Sequence, residues 1–274
     1  MSLSTIPYIL EAHQLKEIQN RKSPGDILVV EVGKQEDYVK QHIPNARFIG
    51  ISEIKCPDAP RQGHLPPLAQ LSQSLGAAGI TSDTHVVAYD NNLNSAAARL
   101  LWVLEAVNHR KMSLLNGGLS AWMAAGYEFE SGDPVQSDAS LPVTLNPDVI
   151  ASKQDVLSAI KMPDITIVDS RSPEEHRGEK SASDRKGRIP GSVNLNWLDT
   201  IDQDRRFRPE HELLDLLNAR GIEKQQELIV HCQTHQRSSH AFVMLRSLGF
   251  SQIKGYAGSW SEWSADPECP AETG

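Results

Sequence analysis

Leu228-Ile229-Val230-His231-Cys232-Gln233-Thr234-His235-Gln236-Arg237 begins as a nearly continuous apolar run and turns, at a cysteine, into residues that cannot continue a buried strand. The apolar part reads as a strand covered on both faces, and the polar part as a loop leading into a helix that starts near Ser238 or Ser239. In the first half of the chain Val86-Val87-Ala88-Tyr89 makes the same transition at Asp90, 142 residues before Cys232. Other landmarks repeat at nearly the same offset. Gly79-Ile80 matches Gly221-Ile222, Gly117 matches Gly258, Trp122 matches Trp263, and Ile43-Pro44-Asn45-Ala46 resembles Ile189-Pro190-Gly191-Ser192. Landmarks in one order at one spacing mark an internal duplication. Leu28-Val29-Val30-Glu31 corresponds to Thr166-Ile167-Val168-Asp169, and the second copy then carries eight extra residues before its Ile-Pro.

Each copy alternates strands with helices. Ile27 to Val32, Val86 to Tyr89, Ile165 to Val168 and Leu228 to His231 read as strands; Leu93 to Val107, Glu210 to Ala219 and Ser238 to Leu248 read as helices. Such alternation predicts an α/β fold: two tandem domains, each a mostly parallel sheet with helices on both faces. The expected domains are 1–129 and 149–274, joined by a linker over 130–148, where Pro134, Pro142 and Pro147 sit among Ser, Asp and Gly. A length of 274 residues agrees, since domains commonly hold about 100–150. The formal charge of −8, from 27 Lys and Arg against 35 Asp and Glu, gives no reason to expect nucleic acid or an anionic membrane as partner. No signal peptide or membrane span is read, and three scattered cysteines, Cys56, Cys232 and Cys269, do not make a disulfide framework. A cytoplasmic protein is the expectation.

The duplication puts Cys232 where the other copy has Asp90: a nucleophile in one, a carboxylate in the other. In open parallel sheets ligands bind beyond the carboxyl ends of strands. A loop between a strand end and a helix start turns backbone N–H groups inward and adds the positive end of the helix dipole, so it cradles anions and favours a thiolate. Arg237 and His235 add to that field. Cys56 and Cys269 lie near prolines in loops and receive no role; His231 is read as structural, Trp197, Trp260 and Trp263 as core or interface aromatics. The second copy also carries Arg171, Arg177, Lys180, Arg185, Lys186 and Arg188 before Ile189, interleaved with Glu174, Glu175, Glu179 and Asp184. This stretch reads either as an anion-guiding rim or as a solvated charged loop, with Arg171 a candidate structural ion-pair partner.

Together with Val168-Asp169-Ser170-Arg171-Ser172-Pro173-Glu174-Glu175, Ile189-Pro190-Gly191 and Gly255-Tyr256-Ala257-Gly258-Ser259-Trp260, the loop resembles that of the tandem-domain rhodaneses, a family of sulfurtransferases. The resemblance covers essentially the whole chain. Cys232-Gln233-Thr234-His235-Gln236-Arg237 looks most like the Cys-Gln-Thr-His-x-Arg loop of the family's bacterial thiosulfate:cyanide branch. The resemblance implies a double displacement: Cys232 takes the outer sulfur of thiosulfate as a persulfide and passes it to cyanide or a thiol, with no metal or organic cofactor. It makes Gln233, Thr234, His235, Gln236 and Arg237 substrate-binding, and gives the first domain a non-catalytic role in packing against the second and shaping the cleft. Eukaryotic members have an Arg at the position of Glu175, so Arg177 is the candidate to stand in. Mercaptopyruvate-using members have a small Gly/Ser-rich loop, and the bulkier cationic loop here favours thiosulfate. Alternatives are mercaptopyruvate as donor, a persulfide carrier serving a protein acceptor, and a cysteine-dependent phosphatase. The phosphatase pattern, Cys-x5-Arg, is one residue longer than the spacing from Cys232 to Arg237.

Overall fold

A computed structural model describes residues 6–21 and 27–274. The described chain divides into two compact units. The first holds the residues up to Ile54, Pro66–Leu145 and Gln203–Arg206; the second holds Lys55–Leu65, Asn146–Asp202 and Phe207–Gly274. Two short stretches therefore cluster out of chain order.

The first unit runs β1 (Ile9–Leu10), α1 (Ala12–Arg21), β2 (Ile27–Gly33), α2 (Gln35–Lys40), β3 (Arg47–Gly50), α3 (Leu68–Ala77), β4 (His85–Tyr89), α4 (Ser95–Ala106), β5 (Met112–Leu115) and α5 (Gly118–Ala124). The second runs β6 (Ile150–Ala151), α6 (Lys153–Ala159), β7 (Ile165–Asp169), α7 (Pro173–His176), β8 (Val193–Asn194), α8 (Glu210–Asn218), β9 (Glu227–His231), α9 (Arg237–Ser247), β10 (Ile253–Tyr256) and α10 (Ser259–Ala265). The sheets have equivalent orders, β1-β5-β4-β2-β3 and β6-β10-β9-β7-β8. Every pairing between these strands is parallel. The doubled α/β architecture expected from the alternation is thus what forms.

The order of strands fixes where chemistry can sit. From β7 the chain crosses outward to β8, returns to β9 and continues the other way to β10, so β7 and β9 flank the point where winding reverses. Ligand clefts of open parallel sheets form at that point, beyond the carboxyl ends. Asp169 ends β7 and Cys232 follows β9. Strands β4 and β9 are central, and their buried Val, Ile and Leu side chains explain why they are legible as unbroken apolar runs.

Helix starts differ from the sequence expectation. Helix α4 begins at Ser95, not Leu93, because Leu93 (φ 56°) and Asn94 (φ 62°) are left-handed, a conformation no helix interior accepts. Helix α9 begins at Arg237, one residue before the expected start. The proline-rich stretch read as a linker is laid along the first unit: His42 and Glu130 exchange backbone bonds of 2.8 and 2.9 Å, and Ser137 N–H and Leu141 N–H donate to Ala77 O and Ser72 O. Prolines prevent regular structure there without preventing docking. Among the described residues no helix is long and apolar enough to cross a membrane.

The two copies treat the matching acids of β2 and β7, Glu31 and Asp169, oppositely. Glu31 is 2% exposed with a Tyr89 hydroxyl donating to it at 2.6 Å. Burial, opposed by that bond and helped by Asp90 and Asp37, pushes its pKa up to about 7. A carboxyl whose folded pKa is raised contributes stability below its unfolded pKa, and that contribution is lost as pH rises from about 4.5 through about 7. Glu31→Gln, which still accepts from Tyr89, is therefore expected to stabilise the protein by about 3 kcal/mol at alkaline pH and to flatten stability across this window. Urea unfolding as a function of pH reads both; an unchanged slope would refute the assignment.

Candidate active site

The site grows from the end of β9. Cys232 is 1% exposed, and its backbone is pinned on both sides: Cys232 N–H donates to Ser259 Oγ (3.3 Å) and Trp260 N–H donates to Cys232 O (3.0 Å). Ser259 in turn donates to Tyr256 O at 2.9 Å. It holds a left-handed φ of 52°, while the first copy has Gly118 at the matching position, φ 54°. A serine in this conformation costs about 1–2 kcal/mol. Its hydroxyl, which glycine lacks, is what anchors the amide of the nucleophile.

Burial alone would raise the thiol pKa of Cys232. The Arg237 guanidinium, the Ser238 hydroxyl and the amide N–H groups of Ser238 and Thr234 outweigh it, so the pKa lies below the ordinary value. These groups lie on the loop and at the start of α9, where the helix dipole acts in the same direction. Arg237 is itself held. Its Nη1 and Nη2 donate to the two oxygens of Glu175 at 2.6 and 2.9 Å. Glu175 is aimed by local sequence: Ser172-Pro173-Glu174-Glu175 is a capping box in which Ser172 Oγ accepts from Glu175 N–H (3.3 Å) and Glu175 Oε2 accepts from Ser172 N–H (3.1 Å). Burial would raise the Glu175 pKa, but Arg237 draws it below the ordinary value.

Beneath the loop lies a second polar cluster. Arg171 and Asp169 are both fully buried, with Arg171 Nη2 2.7 Å from Asp169 Oδ2 and the guanidinium 4.7 Å from the ring of Trp260. His176 Nδ1 lies 3.0 Å from Asp169 Oδ2. Burial acts to raise the Asp169 pKa, yet the bonds from His176 and Arg171 and the charge of Arg171 hold it far below the usual range. Burial also pushes His231 down to about 4, so it is neutral near pH 7 and Arg171 carries the charge that keeps Asp169 ionised. This is the structural ion pair the sequence suggested for Arg171.

Of the sequence candidates, Thr234 acts on the Cys232 sulfur through its amide and Arg237 through its charge. Gln233 turns its amide to Ser183 Oγ, 2.9 Å away in the stretch added to the second copy. The ring of His235 is fully buried against Ser238 rather than presented to solvent, and Gln236 is the residue before α9. Arg177 is placed elsewhere: its guanidinium pairs with Glu179 at 2.7 and 3.1 Å and is half exposed. At the position of Glu175 the structure has a carboxylate that binds Arg237. Lys180 and Lys186 do line a cavity of about 630 Å³ with Ser172, Glu175, Glu179, Ser181 and Ala182. Sequence reasoning missed Glu175 as the partner of Arg237, Ser238 at the sulfur and Ser259 at the amide. Only the capping box gave a sequence signal, and it fixes a helix start without naming a partner 62 residues away. Residues 55–65 also approach the loop: a Cβ on Gly63 would lie 1.9 Å from Ala257 O and 2.9 Å from Thr234 O, and His64 Nε2 is 3.0 Å from Glu262 Oε1.

The equivalent loop of the first unit is filled by its own side chain. Asp90 Oδ1 accepts from Asn92 N–H (2.7 Å) and Asn94 N–H (2.9 Å), and Oδ2 from Ala96 N–H (2.7 Å) and Ala97 N–H (2.9 Å). An anion cradle with a built-in anion has no vacancy for a substrate.

A family model for the rhodanese-like domain matches residues 11–125 and 152–266. The thiosulfate sulfurtransferase of Azotobacter vinelandii is 32% identical over 269 residues, covering 98% of this chain and 98% of that protein. The protein of that name from Mus musculus is 30% identical over 248 residues, covering 88% of this chain and 84% of that protein. Among solved structures, YnjE matches with a TM-score of 0.90 and 26% identity, over 100% of this chain and 70% of that one. The anaerobic ergothioneine biosynthesis enzyme from Chlorobium limicola matches with a TM-score of 0.90 and 24% identity, over 100% of this chain and 72% of that one, a likeness of fold.

Proposed function

We propose that this chain, which belongs to the rhodanese family, is a thiosulfate sulfurtransferase working through a persulfide on Cys232. The observation that carries the reading is a buried cysteine at the carboxyl end of the central strand whose pKa is drawn down by Arg237, the Ser238 hydroxyl and the amides of Ser238 and Thr234. In the first half-reaction the Cys232 thiolate attacks the outer sulfur of thiosulfate. A bond forms between Sγ and that sulfur, the sulfur–sulfur bond of the donor breaks, and sulfite leaves with the electron pair. In the second, a thiophilic acceptor such as cyanide or a thiol attacks the outer sulfur, and Cys232 departs as thiolate. Arg237 and the inward amides suit the charge that moves between the sulfur atoms in both steps. Both half-reactions balance without metal or organic cofactor.

Intact mass after exposure to thiosulfate is expected to rise by one sulfur atom in the wild type and not in Cys232→Ser, with thiosulfate:cyanide turnover lost in parallel. Running 3-mercaptopyruvate beside thiosulfate decides the donor, and a preference for it would overturn that half of the reading. No sulfur gained from either donor would overturn the enzyme.

A further inference from the structure

The Cys232 sulfur has a polar neighbour that itself leads further in. Ser238, whose hydroxyl bonds the sulfur, is fully buried, and its Oγ lies 2.7 Å from Nδ1 of the equally buried His235. A serine hydroxyl has one proton to give. When Cys232 is a thiolate, the charge-assisted bond to sulfur takes that proton, so Oγ must accept from His235 and Nδ1 must carry a hydrogen. When Cys232 is a thiol, S–H donates to Oγ and Ser238 donates to a bare Nδ1. With Nε2 protonated in both, the two arrangements hold the same protons, one of them moved in effect from the sulfur to Nδ1. Going from thiol to thiolate, the S–H bond breaks as a new bond forms to Oγ, and the original Ser238 O–H bond breaks as Nδ1–H forms.

Backbone geometry commits His235 to this position. It adopts φ 54°, a left-handed conformation that His tolerates better than most residues. Ser239 Oγ donates to His235 O at 2.5 Å and locks the turn. The other charged and titratable groups around the loop are engaged elsewhere: Arg237 with Glu175, Asp169 with Arg171 and His176, His64 with Glu262, and His231 with its Nδ1 3.3 Å from Cys232 O.

We propose that His235, acting through Ser238, stores the proton of Cys232 and so holds the nucleophile as a thiolate; it is a positioning residue and does not touch the donor. The inference rests on the reading of Cys232 as nucleophile. Through the cycle the protonated ring faces first the thiolate and then the persulfide, so no proton has to enter or leave between the half-reactions.

The test is alkylation of Cys232 by iodoacetamide as a function of pH, followed by mass, in wild type, His235→Asn, Ser238→Ala and the double variant. Asparagine keeps an N–H donor and tolerates the left-handed backbone, but cannot take up a proton. Each single variant is expected to slow alkylation near pH 6 about tenfold or more, with the alkaline plateau unchanged, since one unit of thiol pKa is a tenfold change in thiolate. The double variant is expected to match Ser238→Ala, because both changes cut one chain. A His235→Asn profile that overlays the wild type, or independent effects that multiply, overturns the relay. If the variants do not fold, the wild type still decides. At a pH where alkylation has reached its plateau, capping the thiolate should release about one proton per Cys232, taken as the difference from Cys232→Ser. No proton released places it in solvent and sinks the proposal. Failure of the wild type to gain sulfur from thiosulfate would instead sink the nucleophile reading and leave the titration standing.

Discussion

Arg237→Ala is expected to slow sulfur transfer about a hundredfold, the loss typical when one charge-stabilising donor is removed from a reacting centre. Two effects add. Arg237 contributes most to drawing down the Cys232 pKa, so without it the thiolate forms only at higher pH and the acid limb of the rate profile moves to the alkaline side. It is also the positive charge that acts on the sulfur, where charge develops. The variant has a second consequence. Glu175 in the wild type has a depressed pKa, so its pairing contributes stability above the unfolded value of about 4.5, which is lost as pH falls. Removing Arg237 leaves a part-buried carboxylate without its guanidinium, at a cost of about 2 kcal/mol. Arg237→Ala with Glu175→Gln should recover that stability and none of the rate. Urea unfolding and single-turnover sulfite release separate the two; recovery of rate in the double variant would mean that Arg237 acts only to neutralise Glu175. Arg237→Lys should fall between, since a lysine keeps the charge but not the two-pronged grip on Glu175.

How much of this was legible in the sequence follows from how each feature is encoded. The long strands β2, β4, β7 and β9 announce themselves because burial on both faces demands unbroken apolar runs. The two-residue strands β1, β6 and β8 carry no periodicity at all. Cys232 and its loop were readable because the duplication supplies an internal control at Asp90. The bidentate pairing of Arg237 was not, since two residues 62 apart can be brought together only by a tertiary fold. The family resemblance, which has an Arg at the position of Glu175, therefore pointed to Arg177, which the structure ties to its near neighbour Glu179. His235 illustrates the same limit: composition marks it as a cation beside an anion site, while a positive φ turns its ring inward to Ser238. Residue identity names the chemistry available in a loop, and backbone conformation decides which of it faces the substrate.

Asp90 provides the sharpest contrast between two substitutions that look alike. Four amide hydrogens fill the lone-pair directions of its two oxygens, leaving no place for a proton, although burial pushes its pKa above the ordinary value. Asp90→Ala strips the acceptor from four buried N–H groups at about 1 kcal/mol or more each, so a loss of about 4 kcal/mol is expected. The emptied cradle is then an anion site of the kind the second unit uses, and formate should restore stability in proportion to RT ln(1 + [formate]/Kd). Asp90→Asn is nearly isosteric and should fare no better. Its NH2 group would point at two N–H donors, leaving them unpaired and opposed, and its bulk keeps formate out. The expected order of urea midpoints without formate is wild type above both variants, with only the alanine variant rising when formate is added. A stable asparagine variant would show that the carboxylate's charge and acceptors are dispensable, and that Asp90 merely fills space where its counterpart is a nucleophile.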